Sequence, residues 1–331
     1  VASMTHSGEN WTCQVTPNDG EYDGETKNSN TVYINHPPSQ GVPFINGSIT
    51  GNTTIARSEE NITCYTQSTS DADGDNVTNI YNWLRNGKSI TILNMPFDSN
   101  RTLNKTGAVR DYAGFENNGT LSGTNGDVPT WIENCKVGGC YKFGYSSGYQ
   151  YVEIENTTGL IADNNSFSVE FWVKHFSTYA FGGPILDNAF TTGDFFINQI
   201  KGYVIMWHGS VLKFKISNDT TVQPLEVSYG GINLNEWYHV VAVRDRGEGK
   251  LKLYVNGTLV NETNDTLNSI YDNNHKIVVG TNLIDQSNNS FGPAYSFIDE
   301  LRIYNISLTP CLLYTSPSPR DLSTSRMPSS A

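Results

Sequence analysis

One stretch of this sequence has the spacing of a nucleophilic catalytic motif. Gly144 to Gly148 reads GYSSG, which fits the G-x-S-x-G pattern of a serine held on a strained turn between a strand and a helix. The residues that follow, Tyr149 to Ile154, alternate in the manner of a strand and not of a helix. We therefore predict an ordinary hairpin turn here and no catalytic serine.

A second stretch could bind a metal ion. The segment DADGD places Asp71, Asp73 and Asp75 at the alternate spacing that opens an EF-hand calcium loop. The twelfth position of such a loop would be Asn82 instead of a glutamate, and no helical periodicity flanks it. A solvent-exposed Asp-Gly turn is the simpler interpretation. A looser calcium site between repeats stays open as the alternative, with Ca2+ as its cofactor.

Two of the five cysteines are close in sequence. Cys135 and Cys140 enclose KVGG, whose glycines allow a tight turn that brings the two sulfur atoms together. Two cysteines without a nearby histidine cannot complete a tetrahedral zinc site. We expect a local disulfide, as is usual in an oxidising compartment, with free thiols as the alternative.

The composition argues against two classes of partner. Asp and Glu number 33 against 21 Lys and Arg, which gives a net charge of −12. Nucleic acid and anionic lipid repel such a chain. The best apolar run, Trp237 to Val243, suits a buried strand and is far too short to cross a bilayer. We predict no nucleic-acid partner and no membrane insertion by this part of the protein.

Other features indicate where the protein is located. The pattern Asn-x-Ser/Thr, the acceptor for N-glycosylation, occurs about fifteen times. Lysine is scarce, whereas Tyr, Asn and Thr are abundant. We predict an extracellular or cell-surface protein that carries glycans.

Almost every segment has the period of two that is typical of half-buried strands. Residues 167–174 (FSVEFWVK) and 212–216 (LKFKI) are examples. In residues 251–260 (LKLYVNGTLV) the pair Asn256-Gly257 separates two such runs, which is a strong signal for a two-residue hairpin turn. We predict an all-β protein of antiparallel sheets that form a sandwich or barrel.

Residues 311–331 (CLLYTSPSPRDLSTSRMPSSA) lose this alternation. Cys311–Asp321 and Ser325–Ala331 can be encoded by nucleotide strings that resemble the two ends of a sequencing-library adapter. We therefore expect translated adapter without packed structure after Pro310, and a protein interrupted at that point.

Six ordered motifs between Leu93 and Pro310 resemble the laminin-G-like family of concanavalin-type jelly rolls. The resemblance implies two antiparallel sheets packed face to face, with recognition loops at one rim. The motifs are LNMPFD (93–98), RDYAGFENNGTL (110–121), SVEFWVK (168–174), EWYHVVAV (236–243), KLYVNGTLV (252–260) and FIDELRIYN (297–305).

Two expectations follow from these motifs. In FIDELRIYN, Asp299 and Glu300 would face a loop or solvent. Many relatives have a Phe-Asp-Gly turn with two further acidic residues where this chain reads FGYSSGYQYV (143–152), which argues against calcium at that turn. The residues expected to anchor the last core strand are Phe297, Ile298, Leu301 and Ile303.

Residues 1–92 resemble two halves of immunoglobulin-like repeats from prokaryotic surface proteins. A complete domain has an early cysteine, a tryptophan and a late cysteine, in that order. Here the late half, with Cys13, comes before the early half, with Cys64 and Trp83. The resemblance implies that residues 1–40 close one repeat, residues 41–92 open the next, and a jelly roll at 93–310 is inserted into the second. Cys13 and Cys64 would then have lost their partners.

Some jelly rolls are glycanases, so the resemblance raises the question of catalysis. Those enzymes hold two carboxylates on one strand face with a Glu-x-Asp-x-x-Glu motif. Neither VEIEN (152–156) nor FIDEL (297–301) supplies it. His239 lies within an apolar strand without a serine or cysteine motif, so we interpret it as structural. We predict no catalytic site and no enzyme activity.

Sugar binding by such folds relies on exposed aromatic rings that stack on pyranose faces. Tyr145, Tyr149, Tyr179 and Phe181 lie in Gly/Ser-rich segments and are the candidate ligand contacts. Loop packing is the alternative for each of them.

We predict a non-catalytic carbohydrate-binding or adhesion module of a multi-domain surface protein, with glycans or extracellular proteins as partners. One alternative is a structural spacer or surface-layer component without a sugar ligand. Another is an accessory domain of an enzyme encoded in flanking sequence. Fold alone does not decide between these functions.

Overall fold

Contacts between Cα atoms divide the chain between Asn79 and Ile80, and residues 324–327 belong with the first unit. No helix in the described part of the chain is long and apolar enough to cross a membrane. The structure, a computed structural model, describes residues 5–57, 62–100, 106–154, 164–177, 183–191, 200–218, 223–270, 276–281, 292–308 and 324–327.

Nearly all regular structure in these residues is β-strand, as the sequence predicted. The strands are β1 (Asn10–Val15), β2 (Lys27–Tyr33), β3 (Phe44–Gly47), β4 (Ile62–Tyr65), β5 (Leu84–Arg85), β6 (Lys88–Ser89), β7 (Thr91–Met95), β8 (Gly119–Gly123), β9 (Thr130–Ile132), β10 (Cys140–Phe143), β11 (Gln150–Ile154), β12 (Phe167–His175), β13 (Pro184–Thr191), β14 (Ile200–His208), β15 (Val211–Ser217), β16 (Leu225–Tyr229), β17 (Trp237–Asp245), β18 (Lys250–Val255), β19 (Thr258–Asn264), β20 (Ile277–Val279), β21 (Ser296–Tyr304) and β22 (Thr324–Met327).

The second unit contains two large antiparallel sheets. The eight-stranded sheet has the order β19-β18-β17-β12-β21-β10-β9, and β7 also pairs with β21. The seven-stranded sheet has the order β16-β15-β14-β13-β20-β11-β8. The confirmed architecture is an antiparallel jelly-roll sandwich.

The hydrophobic core lies between these two sheets. The ring of Phe167 on β12 lies 4.8 Å from that of Tyr203 on β14, between centroids, and 6.2 Å from that of Phe214 on β15. Trp207 is fully buried, and its indole N–H donates to the hydroxyl of Ser296 in the opposite sheet at 2.9 Å. The predicted alternation on β12 and β15 therefore marks the core faces of both sheets.

The hairpin predicted at Asn256-Gly257 is confirmed. Val255 of β18 pairs with Thr258 of β19, so the two residues between them form the whole turn. Asn256 has φ 49° and Gly257 has φ 77°. Positive φ at both positions is the geometry that matches the twist of the two flanking strands.

The last core strand departs from strict alternation. On β21, Asp299 pairs with Trp172 and Arg302 pairs with Glu170, so two residues of β21 oppose the single residue between those partners. Glu300, within this bulge, has φ 54°. A bulge shifts the side-chain parity of a strand. This shift allows Ile298, Leu301 and Ile303 all to reach the core.

Two expectations for this strand were wrong. Phe297 does not anchor the core but lies half-exposed on the outer face of the eight-stranded sheet, opposite Lys142 and Lys174. Asp299 and Glu300 were expected to face a loop or solvent; both are buried, and only Glu300 departs from that expectation, because Asp299 faces a loop. Asp299 accepts hydrogen bonds from loop N–H groups between β9 and β10, while Glu300 forms an ion pair with Arg302 on its own strand.

The first unit contains two small sheets. β1 and β2 form an antiparallel hairpin, and β3 and β4 pair in a three-stranded sheet with β22. Cys13 is exposed and Cys64 is half-buried, and both carry free thiols.

Two details concern which residues belong to each unit. Trp83 belongs with the second unit, whose first core-sheet strand, β7, includes the predicted start at Leu93. Thr324–Met327 pairs with β4, although no packed element was expected in residues 311–331. The physical reason is that the edge of β4 presents unpaired backbone groups to which an extended segment can add. Residues 309–323 and 328–331 lie outside the described part.

Candidate functional site

Two of the predicted ligand-contact tyrosines lie side by side on one turn. Tyr145 and Tyr149 form an isolated antiparallel bridge between β10 and β11, and their ring centroids are 5.4 Å apart at an interplanar angle of 68°. Tyr145 is 54% exposed, whereas Tyr149 is half-buried. We call Tyr145–Tyr149 the tyrosine turn. Tyr179 and Phe181, the other two predicted contacts, lie outside the described residues.

The carboxylate of Asp127 holds the tyrosine turn in place. Its Oδ2 accepts hydrogen bonds from the Ser146 hydroxyl at 2.8 Å and from the Ser146 and Ser147 amides at 3.3 and 3.2 Å. Its Oδ1 accepts one from Gln150 Nε2 at 2.9 Å. Burial raises the pKa of Asp127, but these donors outweigh burial and lower it to about 2. Asp127 is therefore an ionised anchor for the turn.

A neighbouring backbone segment fixes the other side of the turn. The Tyr149 amide donates to Thr124 Oγ1 at 2.7 Å, and Asn125 Nδ2 donates to the Ser147 carbonyl at 2.8 Å. The carbonyl of Thr124 lies so close to Gly148 that a Cβ atom there would overlap it. Gly148 therefore permits the close approach that locks the turn.

These contacts also show what structure the GYSSG segment forms. Ser146 donates its hydroxyl proton to Asp127, and strand β11 follows immediately. A nucleophile elbow requires a helix at that point. A turn closed by the Tyr145–Tyr149 bridge therefore stands in place of a nucleophile elbow, but it leads from the eight-stranded to the seven-stranded sheet and does not join two strands of one hairpin.

The aspartates of DADGD bind protein donors in the first unit. Asp73 accepts hydrogen bonds from the Tyr33 hydroxyl at 2.7 Å and the His36 amide at 2.6 Å, and these bonds lower the pKa of Asp73 to about 2. Asp71 Oδ1 accepts the Asp73 amide at 2.8 Å, and Asp75 Oδ2 accepts Asn35 Nδ2 at 3.2 Å. In the described part of the chain no group of three or more His, Cys, Asp or Glu side chains is arranged to hold a metal ion.

The predicted disulfide between Cys135 and Cys140 is present, with the two Cα atoms 5.7 Å apart. Its loop covers two acids whose role sequence reasoning missed, the half-buried Asp98 and the buried Asp299. Asp98 Oδ1 accepts the Gly139 amide at 2.9 Å, and Asp299 Oδ2 accepts the Val137 amide at 2.9 Å. Burial and the charge of Glu300 raise the pKa of Asp98 to about 7 and that of Asp299 well above its usual range. The carboxyl oxygens of both acids accept backbone hydrogen bonds and brace the loop.

A further acid, also missed, lies on the outer face of the seven-stranded sheet. Val278 pairs with Asp187 on one side and with Glu153 on the other, so both acids share this face. Burial raises the pKa of Asp187 to about 7. Glu153 forms an ion pair with Lys276 at 2.6 Å. Their positions on separate strands explain why a search for a single-strand motif did not find them.

His239 has the structural role that the sequence suggested. Its Nε2 lies 2.8 Å from Glu170 Oε1, and Glu170 Oε2 accepts the Tyr304 hydroxyl at 2.6 Å. All three residues are buried. The imidazole links β17 to β12 within the sheet.

A sequence profile matches most of the second unit. The profile is Laminin_G_3, described as the concanavalin A-like lectin/glucanases superfamily, and it matches residues 146–311. A search of curated protein sequences finds no match.

Solved structures of similar topology include several toxin domains. The botulinum neurotoxin serotype G binding domain is 18% identical with a TM-score of 0.48, and the alignment covers 67% of this chain and 49% of that one. The binding domain of paraclostridial mosquitocidal protein 1 is 14% identical with a TM-score of 0.49, covering 67% of this chain and 50% of that one. The present chain thus spans about half the length of these structures.

Proposed function

The chain belongs to the concanavalin A-like lectin/glucanases superfamily, and from that membership we propose that its jelly roll binds carbohydrate without cleaving it. The observation that supports this proposal best is the tyrosine turn. Tyr145 presents an exposed ring from a turn that Asp127 holds rigidly. Tyr145 and Tyr149 are the proposed ligand contacts.

The chemistry of the turn suits a sugar. An aromatic face stacks on the C–H face of a pyranose, and a phenol hydroxyl at its edge can hydrogen-bond to sugar hydroxyls. The tilt of 68° between the rings lets them contact two sides of one ligand. Because the turn is ordered before binding, little conformational entropy is lost when a glycan docks.

We also propose the setting of this module. The disulfide and the many glycosylation patterns favour an extracellular, surface-displayed protein with adhesion as its role. Immunoglobulin-like repeats in residues 1–92 remain part of the proposal. In this proposal Asp71, Asp73 and Asp75 are the side chains that would coordinate calcium. The competing functions are a spacer without a sugar ligand and an accessory domain of an enzyme encoded in flanking sequence.

A glycan array probed with the full chain tests the proposal, once in calcium and once in chelator. Saturable binding to a defined glycan supports the lectin function, and loss of binding in chelator assigns calcium to it. No binding to any glycan, by protein shown to be folded by circular dichroism, would overturn the proposal in favour of a spacer.

A further inference from the structure

The outer face of the eight-stranded sheet carries a row of alternating lysines and aromatic rings. Lys142 on β10 pairs with Phe297 on β21, Phe297 pairs with Lys174 on β12, and Lys174 pairs with Trp237 on β17. All four side chains are half-exposed. We call these four residues the lysine–aromatic row.

Each lysine in the row lies over an aromatic ring. Lys174 Nζ is 4.3 Å from the centroid of Phe297 and 5.2 Å from that of Trp237. Lys142 Nζ is 5.7 Å from the centroid of Phe297. Beside the row, Lys136 Nζ lies 4.3 Å from the centroid of Trp172. A cation–π contact orients an ammonium group but uses none of its three N–H donors, which stay available to a ligand.

These lysines differ from others in the second unit. Lys213, Lys250, Lys252 and Lys276 each form an ion pair with Asp or Glu. Lys136, Lys142 and Lys174 form none with the described residues. In a chain of net charge −12, three lysines without a carboxylate partner on one face form a local positive site.

The described acids near this face form hydrogen bonds elsewhere and no ion pair with these three lysines. Asp299, which pairs with Trp172 across β21 and β12, is fully buried. It accepts hydrogen bonds from the backbone amides of Lys136 and Val137. Glu170 is buried against His239 and Tyr304. Glu236, which precedes Trp237, accepts the Tyr238 hydroxyl at 2.9 Å.

We propose that the lysine–aromatic row is a second binding surface, for a linear anionic polysaccharide whose carboxylate or sulfate groups contact Lys142 and Lys174 while its sugar rings stack on Phe297 and Trp237. The proposal stands independently of the tyrosine turn, because it concerns different residues and a charged ligand.

Strand geometry sets the spacing of the row. Adjacent strands are about 4.8 Å apart, so Lys142 and Lys174, two strands apart, lie at a spacing of about 10 Å. In an extended chain of acidic sugars with two-fold symmetry, the acidic groups of every second residue point to the same side. Their spacing is similar to that of the two lysines, and a ring face lies between them. A nucleic-acid strand carries a phosphate about every 3.4 Å and matches the row poorly. A neutral glycan could accept hydrogen bonds from the ammonium groups but would bring no charge to balance them.

Calorimetric titration of the full chain tests this proposal with four probes: polygalacturonate, dextran sulfate, neutral dextran and a single-stranded oligothymidylate. The test variant is Lys142→Gln/Lys174→Gln, and Lys142→Arg/Lys174→Arg keeps the charge. The matched control, Lys27→Gln/Lys88→Gln, removes two exposed lysines elsewhere. Melting temperatures verify that every variant is folded.

We expect one or both acidic polysaccharides to bind, and the two will show whether carboxylate or sulfate is preferred. The glutamine pair at 142 and 174 should lower that affinity at least tenfold and make the slope of log K against log salt shallower by about two. The arginine pair and the control pair should stay within about threefold of the wild type.

Three results would overturn the proposal. One is no binding to either acidic polysaccharide, and another is an equal loss in the control pair. The third is oligothymidylate binding as tightly as the polysaccharides through the same lysines. None of these results bears on a glycan bound at the tyrosine turn, which is tested with different variants.

Discussion

The carboxylate of Asp127 accepts a hydrogen bond from the Ser146 hydroxyl at 2.8 Å, and this contact fixes the turn between the two tyrosines. Without it, the exposed ring of Tyr145 would sample many orientations and would lose more entropy on binding. We therefore expect Asp127 to affect the affinity for a glycan although Asp127 does not contact the ligand.

Asp127→Ala should weaken glycan binding about tenfold and lower the free energy of unfolding by about 1 kcal/mol, because four donors lose their acceptor at a partly exposed site. The folded pKa of about 2 lies below the ordinary value of 3.8, so the stabilisation is complete above about pH 4 and is lost as the pH falls towards 2. Urea denaturation at pH 7 and pH 2.5 measures the loss of stability and its pH dependence. Calorimetric titration of the best array glycan measures the loss of affinity. Equal stability of variant and wild type at pH 7 would contradict the anchoring role.

Asp98, half-buried beneath the disulfide loop, should give the opposite dependence of stability on pH. The folded pKa of Asp98 is raised to about 7, so its contribution to stability is complete below about pH 4 and declines as the pH rises through 7. Asp98→Asn keeps an acceptor for the Gly139 amide but carries no charge. Thermal melts from pH 5 to 8 should show a smaller decline in this variant and a higher melting temperature at pH 8.

A matched control is Glu116→Gln, which changes an exposed carboxylate. That variant should follow the wild-type pH profile. A wild-type melting temperature that rises steadily from pH 5 to 8, unchanged by Asp98→Asn, would show that Asp98 is ionised in the folded protein.

Sequence patterns predicted the elements whose signals are local. The alternation in β12 and β15, the turn at Asn256-Gly257 and the disulfide each depend on residues close in the chain. The bulge at Glu300 depends on the register between β21 and β12. The sequence does not reveal that register, so the environment of Asp299 could not be predicted. A local pattern carries no information on such pairing.

The candidate sites also combine residues that local sequence could indicate with residues that only strand pairing brings together. Tyr145 and Tyr149 could be proposed from a Gly/Ser-rich segment, but their anchor, Asp127, is distant in the chain. The lysine–aromatic row takes its members from four strands, so only the strand register brings them together.

Alanine substitutions at two glycines should distinguish the cost of a strained backbone from the cost of steric overlap with a neighbour. Gly209 has φ 59° with open space around it, and Gly280 has φ 101° with the Phe143 ring where a Cβ atom would lie. Gly209→Ala should cost about 1 kcal/mol from the left-handed backbone alone. Gly280→Ala should cost at least 1 kcal/mol more, because Phe143 is fully buried and cannot move away. Chemical denaturation of both variants measures the difference, and equal costs would contradict the packing described for Phe143.

Binding should occur without turnover. Asp187 and Glu153 share a sheet face, but Asp187 is buried and Glu153 is engaged by Lys276. We expect no release of reducing ends from any bound glycan over a day of incubation. Hydrolysis that is abolished by Asp187→Asn would contradict this expectation and would identify Asp187 as a general acid.

The most direct test of the central claim is a calorimetric titration of the best array glycan into wild type, Tyr145→Ala, Tyr149→Ala and Phe115→Ala. Phe115 is 47% exposed on a different loop and serves as the control for losing an exposed ring. We predict that each tyrosine variant binds at least tenfold more weakly, whereas Phe115→Ala binds like the wild type. Wild-type affinity in both tyrosine variants would show that the tyrosine turn is not the carbohydrate site.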